Sequence, residues 1–127
     1  MTTPNPPIHE TDVPAETWYA GTDREVRGKA LSDVDGRARV GVGLLELPPG
    51  SNTLPGHYHT EEEEHLYVLE GTLTVHLGNR IFELRPGCYL RFPAAQAVAH
   101  YLSNEGNETV RYLMIGERIE TDQVVYP

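Results

Sequence analysis

Thr72-Leu73-Thr74-Val75-His76-Leu77-Gly78-Asn79-Arg80-Ile81-Phe82-Glu83-Leu84 is the stretch that decides the fold. From Thr72 to Leu77 the apolar residues fall at every second position, which is the period of a strand with one buried face. Gly78-Asn79 then supplies two residues that tolerate positive φ, and Arg80 to Leu84 resumes strand-forming chemistry. The stretch therefore predicts a β-hairpin.

Outward from the hairpin, similar short runs occupy about residues 24–31, 38–47, 64–70, 88–92, 98–103 and 109–116. Turn signals separate them at Asp35-Gly36, Pro48-Pro49-Gly50, Pro55-Gly56, Pro86-Gly87 and Asn104-Glu105-Gly106-Asn107. So many turns leave little room for a helix of ordinary length. The expectation is an all-β sandwich, jelly roll or barrel. Residues 1–17, rich in Pro, Thr and acids, are expected to form an irregular arm, and residues 18–127 a single β-barrel domain.

The 127 residues suffice for one core, with 39% hydrophobic and 23% charged side chains. Ten basic and 19 acidic residues give a net charge of −9. Phosphate backbones and anionic bilayers would repel such a chain, so neither nucleic acid nor membrane is an expected partner. The start of the chain lacks the basic and apolar regions of a signal peptide. A single cysteine, Cys88, permits no intrachain disulfide, and a cytoplasmic home is the simplest expectation.

Four of the six histidines lie between positions 57 and 76. His57 and His59 flank one residue, so on a strand both imidazoles leave the same face and can reach one point. Glu64 opens the next predicted strand, and His100 lies on a later one. Three neutral imidazoles and a carboxylate suit a divalent transition metal ion, Zn, Fe, Mn, Ni or Cu. Within the acidic run, Glu61 to Glu63 read as a solvated loop, and Glu64 stands apart because an apolar strand follows it. Glu63 is the alternative if the strand boundary shifts.

The stretch Gly50-x6-His57-x-His59-x4-Glu64-x6-Gly71 resembles the first motif of the cupin superfamily. Gly87-x5-Pro93, continuing to His100-x3-Asn104, is similar to its second. The two parts are in the expected order and together span about Leu44 to Met114. Here Ala95 stands where a glycine is usual, and two extra residues precede His100. This longer form resembles a small-cupin subgroup that also has a Tyr-Pro near its C-terminus, like Tyr126-Pro127.

The resemblance implies an RmlC-like double-stranded β-helix, a jelly-roll barrel with a metal in its open end. It carries ligand roles onto His57, His59, Glu64 and His100, and it implies a homodimer. Two functional readings follow: a metal-dependent enzyme on a small oxygen-rich metabolite, of dioxygenase or sugar-isomerase type, or a non-catalytic metal-containing protein that binds a small molecule. A metal-free jelly roll would require the four residues to be accidental.

Other residues are read more plainly. His65 should point away from its neighbour Glu64, and His76 is read as an outer-face residue. Cys88 is a buried thiol with no basic neighbour to activate it. Tyr58, Tyr67, Tyr89 and Tyr101 are read mainly as sheet packing. Arg91 and Gln96 are candidates for substrate contact, and Asn104 is a turn residue at a strand end.

Overall fold

The period-2 runs fold as strands, with turns where glycine, proline and asparagine cluster. The computed structural model describes residues 5–127. Its strands are β1 (Glu16–Trp18), β2 (Val26–Ala30), β3 (Val40–Leu47), β4 (Tyr58–His59), β5 (Glu64–Glu70), β6 (Leu73–Leu77), β7 (Arg80–Leu84), β8 (Tyr89–Phe92), β9 (His100–Ser103), β10 (Val110–Glu117) and β11 (Val124–Val125). Helical structure among the described residues is limited to two 3-10 turns, Glu10–Asp12 and Leu31–Asp33. Among the described residues no helix is long and apolar enough to cross a membrane. Within the segment expected to be irregular, the first 3-10 turn forms and β1 begins at Glu16, while residues 1–4 lie outside the described residues.

The expected hairpin closes at Gly78, whose φ is 61°, and Val75 of β6 sits opposite Phe82 of β7. Gly71, at φ 75°, ends β5 where a side chain could not fit. A Cβ there would stand 3.0 Å from the Thr109 carbonyl oxygen and 3.1 Å from the Val110 Cα.

Six strands form one sheet in the order β1-β2-β3-β10-β5-β8, and three form another in the order β7-β6-β9. The loop before β4 runs beside β9, bridging at Asn52–Ser103 and His57–His100, and so widens the smaller sheet. A short third ladder pairs β11 with β4. The two larger sheets enclose one core, to which the first contributes Leu47, Leu66, Val68, Val110 and Tyr112, and the second Leu73, Val75, Leu84 and Leu102. This is a jelly-roll barrel, all-β as the sequence pattern predicts.

Strand parity positions the functional residues. Leu66 and Val68 of β5 point into the core, so Glu64, two residues earlier, points the same way at the barrel's mouth. On β9, His100 shares its inward face with Leu102 for the same reason.

Candidate metal centre

His57, His59, Glu64 and His100 come from three segments of the chain and meet at one end of the barrel. Ligand atoms of His57, His59 and Glu64 all lie within 4.8 Å of one another. His59 Nε2 is 3.3 Å from Glu64 Oε1, and His100 Nε2 is 3.5 Å from the same oxygen. The His57 and His100 ring centroids are 4.9 Å apart. His100 is buried and lies flat against Phe92, with centroids 3.9 Å apart and planes at 16°. Phe92 faces Glu64 across the β5–β8 ladder, so the floor of the site is apolar.

Hydrogen bonds outside the cluster set two of the imidazoles. His57 Nδ1 lies 3.1 Å from the Pro55 carbonyl oxygen, which can only accept, so Nδ1 carries the proton. His59 Nδ1 likewise donates to the Asp122 carboxylate at 2.8 Å. In the neutral form of each ring this leaves Nε2 as the lone-pair nitrogen, and an outer acceptor fixing the ring in this way is typical of metal-ligating histidines. Burial holds the His57 ring below the ordinary histidine value, which keeps it neutral at pH 7.

Glu64 Oε1 is buried without a hydrogen-bond partner, although two imidazole nitrogens stand close to it. An orphaned carboxylate oxygen is costly, and a cation at the convergence point would satisfy it. Burial is the largest influence on the Glu64 carboxyl and pushes it up. The nearby rings of His100, His59 and His57 outweigh it and hold the group below the usual carboxylate range. The donor set thus fits a divalent transition metal.

A second group, His59, Glu62 and Asp122, also lies within 4.8 Å. Its carboxylates are already engaged: Asp122 accepts the amides of Glu61 and Glu62, and Glu62 accepts the amide of Ile119. These acids thus hold the His59 ring and the backbone around it, with Asp122 accepting the His59 Nδ1 proton. Burial raises the Asp122 carboxyl, but the His59 ring and the two amides overcome it and bring the group down to about 2.

Several expectations change at this scale. The acidic run is not simply a solvated loop. Glu61 accepts from the Thr121 hydroxyl, Glu62 is bound as above, and Glu63 lies between His65 and Arg91. Arg91 therefore sits on the outer sheet face, and Gln96 lines a separate cleft beside the β6–β7 hairpin, so neither reaches the candidate centre. His65 points outward to Tyr89, and His76 stacks on Tyr101 and bonds Ser103 on the outer face of the smaller sheet.

Asp122 was invisible in the sequence. No period marks it, and only the rule that a ligating histidine needs an outer acceptor suggests looking for such a residue. Tyr126, whose ring lies 5.9 Å from that of His57, is reached only because β11 returns to β4.

Residues 43–116 match the cupin domain family. A solved structure from Acidithiobacillus ferrooxidans, bearing a provisional sugar phosphate isomerase assignment, is 37% identical, with a TM-score of 0.77 over 83% of this chain and 67% of its own. The polyketide cyclase RemF from Streptomyces resistomycificus is 26% identical, with a TM-score of 0.77 over 97% of this chain and 87% of its own. The polyketide synthase CurC of Streptomyces cyaneus is 37% identical over 70 residues, which are 55% of this chain. The chain spans 44% of CurC, less than half that relative's length. With more than half of its residues inside the matched domain, this chain belongs to the cupin family.

Proposed function

We propose that this cupin is a metal-dependent enzyme in which His57, His59, Glu64 and His100 hold one divalent transition metal ion and a small oxygen-rich organic molecule is the substrate. The observation that carries this reading is the buried, unpartnered Glu64 Oε1 facing three imidazoles. When bound, the ion would polarise a substrate oxygen, or handle dioxygen if it were redox-active. The chain's own part is to hold the rings. Pro55 and Asp122 orient His57 and His59, and Phe92 packs against His100 and keeps water from its flank. Of the two reaction types, the non-oxidative one has the support of a relative's name, sugar phosphate isomerase, as a class of reaction and not as a substrate.

The test loads the protein separately with Zn, Mn, Fe and Ni and incubates it with sugar phosphates, phenols and keto acids. Products are followed by NMR and oxygen by electrode. Conversion that requires metal and consumes no oxygen is expected. Oxygen uptake coupled to conversion would establish the dioxygenase in its place. One observation favours the binding-protein reading: Glu62 and Asp122, the carboxylates beside His59, are committed to backbone amides and so are poorly placed to serve as an acid–base pair. Retained metal with no turnover across the panel would select it.

We also propose a cytoplasmic homodimer. Its support is the outer face of the six-stranded sheet, where Tyr67 and Tyr89 are exposed and Leu113 and Ile115 alternate with inward-facing Tyr112 and Met114. Light scattering after size exclusion should give twice the chain mass. A monomer at micromolar concentration would contradict it.

A further inference from the structure

A cleft of about 300 Å³ opens beside His57, built from segments far apart in the sequence. Trp18 ends β1, Tyr19 follows it, Arg24 precedes β2, Leu54 lies in the loop before β4, and Tyr126 comes from the end of the chain. Trp18, Tyr19, Leu54 and Tyr126 are all large apolar or aromatic residues left exposed. Their convergence at one concavity is what a ligand site requires, and scattered exposure would not produce it.

The walls are also held in place. Gly28 leaves room for Trp18, since a Cβ there would come within 2.8 Å of the indole's benzo edge. Tyr19 has φ 54°, a left-handed conformation that costs a bulky residue energy. That conformation sets its ring under the Arg24 guanidinium, 5.0 Å from the centroid. Among the described residues Arg24 forms no ion pair with a carboxylate, although the chain holds 19 acids. Among those residues its guanidinium makes one hydrogen bond, a long one to the Leu54 carbonyl at 3.5 Å. Two acceptors of the cleft are already engaged: Asn52 Oδ1 accepts the Leu54 amide, and Thr53 Oγ1 accepts the Leu102 amide.

We infer that this cleft binds a planar aromatic ring carrying a carboxylate, with the ring against the aromatic walls and the carboxylate on Arg24. It would be the substrate subsite of the metal centre, so the inference deepens the proposed function and rests on it for the catalytic meaning of the site. A hexose phosphate is the poorer fit. Its dianion calls for several cations, whereas Arg24 is the one Lys or Arg in the lining. Arg24 stands among mainly aromatic and apolar walls, which suit a flat ring better than a ring of hydroxyls.

Trp18 is the only tryptophan in the chain, so 5-fluorotryptophan labelling yields a single fluorine resonance that reports on the cleft. Full-length protein is titrated with 2-naphthoate and with glucose 6-phosphate, by calorimetry and fluorine NMR, with metal content measured on the same samples. Saturable naphthoate binding that shifts the Trp18 resonance is expected. Arg24→Gln should weaken it at least about tenfold while retaining metal. Naphthoate binding that neither moves the resonance nor responds to Arg24→Gln would overturn the inference. So would Arg24-dependent binding of glucose 6-phosphate without binding of naphthoate. Metal-replete protein that ignores naphthoate sinks this inference alone, whereas naphthoate binding by protein that takes up no metal would sink the metal reading alone.

Discussion

Ala95 holds a φ of 60°, in the left-handed region, and its amide donates to the His59 carbonyl at 2.9 Å. The strain explains why a glycine is usual at this position of the second motif, and an L-residue there costs about 1–2 kcal/mol. Part of that is offset because glycine adds freedom to the unfolded chain. Ala95→Gly should therefore stabilise the protein by about 0.5–1 kcal/mol in urea titration. A destabilisation would show that the alanine methyl packs usefully. Asn104 is the opposite case, a polar residue that the fold cannot spare. Buried at 1% exposure, its amide nitrogen donates to the Leu47 and Glu108 carbonyls, and its oxygen accepts the Gly106 amide. Asn104→Ala would orphan three backbone groups, so a loss of about 2–4 kcal/mol is expected. A loss under about 0.5 kcal/mol would mean that water replaces the side chain.

At the scale of elements, the strands were legible because each carries its own period. Leu66 and Val68 fix the face of β5, and that parity leaves Glu64 and Glu62 of four consecutive glutamates, of which Glu64 alone lies on the strand. β4 and β11, two residues each, were not legible, since so short a segment has no period to read. Their ladder depends on the segment between Glu117 and Gln123, which is fastened to the acidic run largely by side chains. Asp122 is its central tie, joined to His59 and to two amides. Its folded carboxyl lies near 2, against an ordinary 3.8. A depressed carboxylate pKa contributes stability that is complete above about pH 4 and is lost as pH falls through 2. Asp122→Asn should thus flatten the acid limb of the stability curve between about pH 4 and pH 2, measured by urea midpoints. Limbs of equal slope in wild type and variant would contradict the tie.

For the whole molecule, the sequence pattern disclosed the barrel and the four converging side chains, and missed what surrounds them. His57 and His59 were readable from i, i+2 spacing, whereas Asp122, Trp18 and Tyr126 reach the site only through long-range closure. Sequence separation erases any local signal for such neighbours. The N-terminal segment shows the same effect. Arg111 on β10 gathers the carboxylates of Glu10, Glu46 and Glu70, drawn from distant parts of the chain, and so docks that segment to the sheet. The claim on which the functional reading depends is that the mouth of this barrel is a metal centre. Elemental analysis of the purified protein beside His57→Ala and Glu64→Gln tests it most directly. About one divalent transition metal ion per chain is expected in the wild type, with a loss of at least about tenfold in affinity in each folded variant. Metal content and affinity unchanged by both substitutions would contradict it.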